Sequence, residues 1–128
     1  MRLLLDTHVL LWVVNTPQRL PEAAHAMIAS LDNAVYFSVV NLWEITLKAQ
    51  LQRADFSVDA RALRTGLLKA GYQELDVKSE HVFQLNHLAD IHKDPFDRML
   101  IAQALSESML LLTMDAQIAK YPAPVRKF

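Results

Sequence analysis

Apolar residues run unbroken over Leu3-Leu4-Leu5 and again over Met109-Leu110-Leu111-Leu112. The first run stops at Asp6-Thr7 and the second at Thr113, with Asp115 just beyond. Short continuous apolar runs of this kind read as strands buried on both faces. Ala34–Ser38 (AVYFS) is rich in β-forming residues and reads as a further strand, and Tyr72–Val77 and Val125–Phe128 predict two short ones.

Between these runs the period lengthens to that of helices. Thr7 is placed to cap His8–Asn15, and Pro17 closes that helix. Pro21 fits the first helical position of Pro21–Leu31, where Ala24, Met27, Ile28 and Leu31 fall at helical spacing. Asp32-Asn33 then marks a turn. Ser38 caps Val39–Leu51, and Val40, Trp43, Leu47 and Leu51 predict its apolar stripe. After a polar connection over Gln52–Ser57, a helix opened by Ser57 or Asp59 runs through Ala70, with Gly71 as its C′ residue. Ser79 starts another, to about Leu88. Asp94 as N-cap, Pro95 at N1 and Asp97 at N3 make the clearest helix start in the chain. The stretch Met99–Leu105 that follows is apolar nearly all round, which predicts a buried helix.

Strands that alternate with helices and are themselves apolar throughout predict an α/β fold with a central parallel sheet covered on both faces. Residues 1–128 contain no repeat, linker or low-complexity stretch and are expected to form one domain.

Composition narrows the chemistry by exclusion. Gly66 and Gly71 are the only glycines, so neither a GxGxxG loop nor a P-loop can be written. Cysteine is absent, which removes disulfides, thiolate ligands and a thiol nucleophile. The formal net charge of −1 leaves no broad basic excess for holding nucleic acid. No apolar run nears the roughly 20 residues that span a bilayer, and Asp6 interrupts any signal-peptide pattern, so a cytoplasmic protein with no membrane partner is expected.

The acids at element ends stand out against that background. Asp6 follows the first strand and Asp115 the strand Met109–Thr113; Asp97 lies in the first turn of the buried helix, and Glu44 lies in the helix after Ala34–Ser38. With right-handed crossovers these ends share one edge of the sheet, the edge at which open α/β sheets bind ligands. Four acids in one cleft repel one another, so some are protonated near neutrality unless cations neutralise them. Mg²⁺ or Mn²⁺, hard and oxygen-ligated, suits such a set.

The segments MRLLLDTHVLLW, FSVVNLWEI, HKDPFDRMLIAQAL and LLLTMD, in that order along the whole chain, resemble the PIN-domain family, and more narrowly the VapC-type toxins of prokaryotic toxin–antitoxin pairs. The HxDPFDRxLIAQA segment is the most specific of them. The resemblance implies a three-layer α/β/α sandwich, Mg²⁺- or Mn²⁺-dependent cleavage of RNA, and neutralisation by a cognate antitoxin encoded alongside. A homodimer is the expected assembly. It places the family's acidic quartet on Asp6, Glu44, Asp97 and Asp115, with Thr7, Ser38 and Thr113 as small hydroxyl residues beside them.

Plainer roles compete at each position. Glu44 and Lys48 are spaced for an ordinary i,i+4 ion pair, Asp94 for a helix cap, and Asp115 for a turn. Arg98 is a candidate partner for a neighbouring carboxylate or a substrate phosphate. The histidines (His8, His25, His81, His87, His92) show no HxxxH face and read mostly as surface residues, with His92 singled out by its place ahead of DPFD. Trp12 and Trp43 read as core or dimer interface. Lys48, Arg53, Arg61, Arg64 and Lys69 crowd one helical pair, either as a solvated face or as a guide for RNA or an acidic antitoxin segment. The rival readings are a PIN-like module that binds RNA or protein without cutting, a DNA nuclease, and an Asp-nucleophile phosphotransferase. His8 stands where the last would need the second acid of a DxD pair.

Overall fold

Side chains alternate across a strand, so the Leu3-Leu4-Leu5 run feeds two cores at once. Leu3 and Leu5 pack with Val9, Phe37, Ile45 and Leu63 on one face of the sheet. Leu4 packs with Leu100, Ile101, Leu111 and Ile118 on the other. The computed structural model describes residues 1–52 and 57–128. The strands are β1 (Arg2–Leu5), β2 (Ala34–Ser38), β3 (Gln73–Leu75), β4 (Leu110–Thr113) and β5 (Val125–Lys127). They form one five-stranded sheet in the order β3-β2-β1-β4-β5, and each neighbouring pair is parallel.

The helices are α1 (Thr7–Asn15), α2 (Glu22–Ala29), α3 (Val39–Gln50), α4 (Ala60–Lys69), α5 (Ser79–Gln84) and α6 (Pro95–Glu107). They cover both faces of the sheet, giving the expected three-layer α/β/α sandwich with β1 at its centre. Strand order reverses beside β1, which lies between β2 and β4. The carboxyl ends of β1 and β4 therefore open on a topological switch point. None of the helices among the described residues is long and apolar enough to cross a membrane.

Several boundaries move by a residue for a local reason. Asp6, not Thr7, takes the extended N-cap geometry of α1, and Thr7 is its first helical residue. Pro21 is likewise the N-cap of α2 rather than its first residue. That helix ends at Ala29, leaving Leu31 fully exposed. Asp94 caps α6 as expected, accepting from the backbone N–H groups of Phe96 and Asp97. Gly71 lies just past α4 with φ of +94°, a conformation that costs other residues a Cβ clash. The connection expected over Gln52–Ser57 lies mostly on residues 53–56, outside the described residues, as does Arg53.

Helix α3 departs most from its apolar pattern. Of the predicted stripe of Val40, Trp43, Leu47 and Leu51, Val40 alone faces inward: Trp43 is 56% exposed and Leu51 64%. Asn41, Glu44 and Ile45 are buried with it. Burying Asn41 and Glu44 without partners would cost several kcal/mol on the order given by transfer scales. Both have partners, and the helix turns to satisfy them. Trp43 is thus outside the core, with its ring edge-on to Phe96 at a centroid distance of 4.7 Å. His81 also departs from expectation. It is fully buried, accepts the Lys78 N–H at Nδ1 (3.0 Å) and donates from Nε2 to Glu107 (2.9 Å).

Urea unfolding checks this orientation of α3. Ile45→Ala should cost about 2–5 kcal/mol through lost burial and cavity formation. Leu51→Ala should stay within about 0.5 kcal/mol, as exposed positions do. Equal costs at the two positions would contradict this burial pattern.

Candidate metal centre

Each predicted acid is delivered by a different element, three of them at or just beyond an element end and Glu44 from within α3. Asp6 leaves β1 and is only 4% exposed. Its backbone N–H still donates to Leu112 of β4, so the residue is tied into the ladder up to the point where its side chain emerges. Glu44 projects from the buried face of α3 at 2% exposure, and Asp97 from the first turn of α6 at 8%. Asp115 follows β4 and is more open, its side chain 38% exposed.

Two threonines brace this set from neighbouring elements. Thr113 accepts the Asp115 N–H at Oγ1 (2.9 Å), so its own hydroxyl is free to donate to Asp6 Oδ2 (2.5 Å). Thr7 donates to Glu44 Oε1 (2.6 Å). Lys48 contacts the other oxygen of Glu44 at 2.5 Å, so the ordinary i,i+4 ion pair and the buried acid are both present at this position. Asp94 acts as a cap through Oδ1, 2.9 Å from the Phe96 nitrogen and 3.1 Å from that of Asp97. Asp115 caps its own turn, accepting from the Gln117 N–H at 2.7 Å. Ser38 caps α3 and donates to Gln103 rather than to any acid (2.6 Å).

His92 bridges the centre. Its Nε2 lies 2.8 Å from Asp97 Oδ2 and 3.8 Å from Asp115 Oδ2. The segment that carries it lacks regular structure, yet both its backbone groups are held. Its N–H donates to the Tyr121 hydroxyl (2.8 Å), and its carbonyl accepts from Arg98 (3.3 Å). Arg98 therefore does not pair with a carboxylate among the described residues. Its guanidinium also donates to Ala89 O (3.0 Å) and the Tyr121 hydroxyl (3.1 Å), clamping the loop.

Electrostatics records the crowding. Burial pushes the Asp6 carboxyl above its ordinary range; Thr113 and His8 oppose this, and the charge on Glu44 adds to it. Asp97 is pushed up to about 7, first by burial and then by the charges on Asp6 and Asp94, with Glu44 adding and the His92 hydrogen bond opposing. A cation would relieve both. By ligand-atom distance the tightest grouping among the described residues is His92, Asp94 and Asp97, whose atoms lie within 4.8 Å of one another. Asp6 and Glu44 lie beyond that grouping but close enough to raise Asp97. The donors are mainly carboxylate oxygens with one imidazole, a set that fits Mn²⁺ and, through the oxygens, Mg²⁺.

Not every feature of the centre is legible from motifs. Asn41, Gln103 and Tyr121 are buried polar residues of the supporting network that the motif reading passes over. Asn41 had a faint signal, because Ser38 and Asn41 are spaced as a capping box and Asn41 and Glu44 share a helix face. Of the cations on α3 and α4, Arg64 pairs with Glu74 at 2.6 Å, while Arg61 and Lys69 are exposed. An apolar cavity of about 610 Å³, lined by Val13, Leu20, Ile28 and Tyr72 among others, opens at the opposite, amino-terminal edge of the strands and contains none of the four acids.

The chain matches the family described as PIN domain over residues 3–124. No curated protein sequence gives a match. Among solved structures, VapBC2 from Rickettsia felis bound to a DNA fragment from their promoter is similar at TM-score 0.75 and 14% identity, covering 100% of this chain and 99% of that one. VapBC-5 from Mycobacterium tuberculosis, of the VapBC family of toxin–antitoxin systems, gives TM-score 0.61 at 22% identity over 99% of this chain and 97% of that one. A toxin–antitoxin complex from Klebsiella pneumoniae gives TM-score 0.61 at 20% identity over 97% and 95%. At these identities the likeness is one of fold.

The raised Asp97 carboxyl predicts how metal-free stability depends on pH. With the folded value near 7 and the ordinary value 3.8, Asp97 favours the folded state below about pH 4, and that contribution is lost as pH rises to about 7. In EDTA at pH 8, Asp97→Asn should therefore raise the melting temperature, by roughly 3–8 °C. The gain should shrink as pH falls towards 4. An unchanged or lower melting temperature at pH 8 would refute the electrostatic picture.

Proposed function

The chain belongs to the PIN domain family, and from that premise we propose that it is a Mg²⁺- or Mn²⁺-dependent endoribonuclease, the toxin of a type II toxin–antitoxin module. The observation that carries this reading is the gathering of buried Asp6, Glu44 and Asp97 at the β1/β4 switch point, with two of their carboxyls raised by burial and mutual repulsion. Retaining charge there at a cost to stability makes physical sense if a cation is bound.

In this reading Asp6, Glu44 and Asp97 hold the ion and Asp115 completes the set, with Asp94 and His92 adjoining it. Mg²⁺ or Mn²⁺ bound there supplies Lewis-acid polarisation of a phosphodiester and a water acidified for attack on phosphorus. Asp6 is the rigid member, because Leu3–Leu5 of β1 are fully buried and Thr113 fixes one carboxylate oxygen. Thr7 and Lys48 hold Glu44. His92 orients Asp97 through one oxygen and leaves the other for the ion. The cation also reconciles a net charge of −1 with an anionic substrate, since carboxylates alone would repel RNA. The similar fold of a toxin–antitoxin complex from Klebsiella pneumoniae supports a cognate antitoxin as partner. A homodimer in the cytoplasm completes the proposal.

Purified protein should cleave single-stranded RNA in Mg²⁺ or Mn²⁺ and stop on addition of EDTA. Asp6→Asn and Asp97→Asn should each lower the rate by at least about 100-fold, as expected for loss of a metal-positioning carboxylate. Equal rates for the variants and wild type would sink the mechanism. Preferential cutting of DNA would redirect it to a DNA nuclease, and metal-independent RNA binding without cleavage would favour a binding module. In cells, wild type but not Asp6→Asn should arrest growth, and co-expression of the adjacent antitoxin should restore it.

A further inference from the structure

Glu44 is the only acid of the centre that comes from the middle of a helix rather than an element end, so something other than backbone geometry must aim it. Thr7 Oγ1 carries a single hydrogen and sits between two side chains. It lies 2.9 Å from Asn41 Nδ2 and 2.6 Å from Glu44 Oε1. The Asn41 amide has its orientation dictated at both ends. Its Oδ1 accepts the Ser38 N–H at 2.7 Å, and its Nδ2 donates to the Leu5 carbonyl at 3.2 Å. A flipped amide would face donor to donor at Ser38 and acceptor to acceptor at Leu5. Nδ2 must therefore be the atom facing Thr7, and the threonine must accept there. Its one hydrogen is left for Glu44.

We propose that Asn41 is a positioning residue for the metal centre, acting through Thr7 to hold the Glu44 carboxylate in its ion-binding orientation. This rests on the metal-dependent reading above. Asn41 touches neither ion nor substrate in this scheme. It is fully buried, and through Leu5 and Ser38 it ties the carboxyl ends of β1 and β2 to the helix that bears the acid. The amide thus meets β1, β2 and α1, and Ser38 is itself held by Gln103 of α6. Capping alone explains the bond to Ser38. It does not explain the donor directed at Thr7.

The test is a double-mutant cycle read by Mn²⁺ affinity, measured by titration calorimetry and by electron paramagnetic resonance of the free ion. Asn41→Asp keeps an acceptor for the Ser38 N–H while removing the donor to Thr7, and Asn41→Ser serves as a second variant if the aspartate protein fails to fold by circular dichroism. Thr7→Val removes the hydroxyl at nearly constant shape, and Thr7→Ser keeps it. Thr7→Val and either Asn41 variant should each weaken Mn²⁺ binding about 10- to 100-fold, the usual effect of losing an outer hydrogen-bond partner of a ligand. The double variant should be no weaker than Thr7→Val alone, because the path is already cut. Thr7→Ser should restore affinity to within about threefold of wild type. Additive losses, or Asn41 variants that bind Mn²⁺ as wild type does, would overturn this inference while leaving the metal reading intact. A wild-type protein that binds no Mn²⁺ would overturn both.

Discussion

Like charges gathered where water is scarce set the terms for much of this structure. Asp6, Glu44 and Asp97 are each less than a tenth exposed and lie near enough to act on one another. Removing a carboxylate from water is costly, and a second one nearby adds to the cost. The neighbouring polar contacts answer that problem directly. Thr113 donates to Asp6, Thr7 and Lys48 to Glu44, and His92 meets Asp97. These donors reduce the repulsion without removing it, since Asp97 is still pushed up to about 7. Part of the stability gained in the two cores is offset at this edge, a pattern common where function requires strain.

The bracing is reciprocal between elements. The end of β1 supplies Asp6 and the start of α1 supplies Thr7, whose hydroxyl serves Glu44 on α3. The end of β4 supplies Thr113, whose hydroxyl serves Asp6 on β1. Each threonine stabilises an acid from another part of the chain, so the set cannot assemble until β1, α3 and β4 are docked. The parallel ladder makes that docking specific, because Leu5 pairs with Leu112 and a slip of one residue would send the apolar run to the wrong faces. The packing that buries the leucines therefore also sets the register of the acids.

The site's outer side is built differently. His92 lies in an irregular segment rather than on a strand or helix, and it is placed by a clamp of Arg98 and Tyr121 on its backbone. Nη1 of Arg98 is spent on two carbonyl groups and the Tyr121 hydroxyl. Its contribution to the centre is the position of the histidine. This arrangement leaves the inner acids on or beside regular elements and His92 and Asp115 on loops that solvent reaches.

Much of this architecture could be read along the chain. The two apolar runs identified the central strands, because each is short and ends at a polar residue, as a strand buried on both faces does. The D-P-F-D start of α6 declared its cap, since Asp94 can accept from the first backbone N–H groups and Pro95 needs no hydrogen bond there. Their places in the α/β pattern, and then the resemblance of the motifs, singled out Asp6, Glu44, Asp97 and Asp115 as candidates. The face of α3, the burial of His81 and the use of Arg98 depended on three-dimensional partners. Hydrophobicity ranks Trp43 above Asn41 for burial, but a buried amide with its hydrogen bonds satisfied is stable, and the helix follows that geometry. Linear sequence thus determined which residues can form strands, caps and charges. Only tertiary packing decided which donors meet which acids, because those pairings join atoms as many as 107 residues apart.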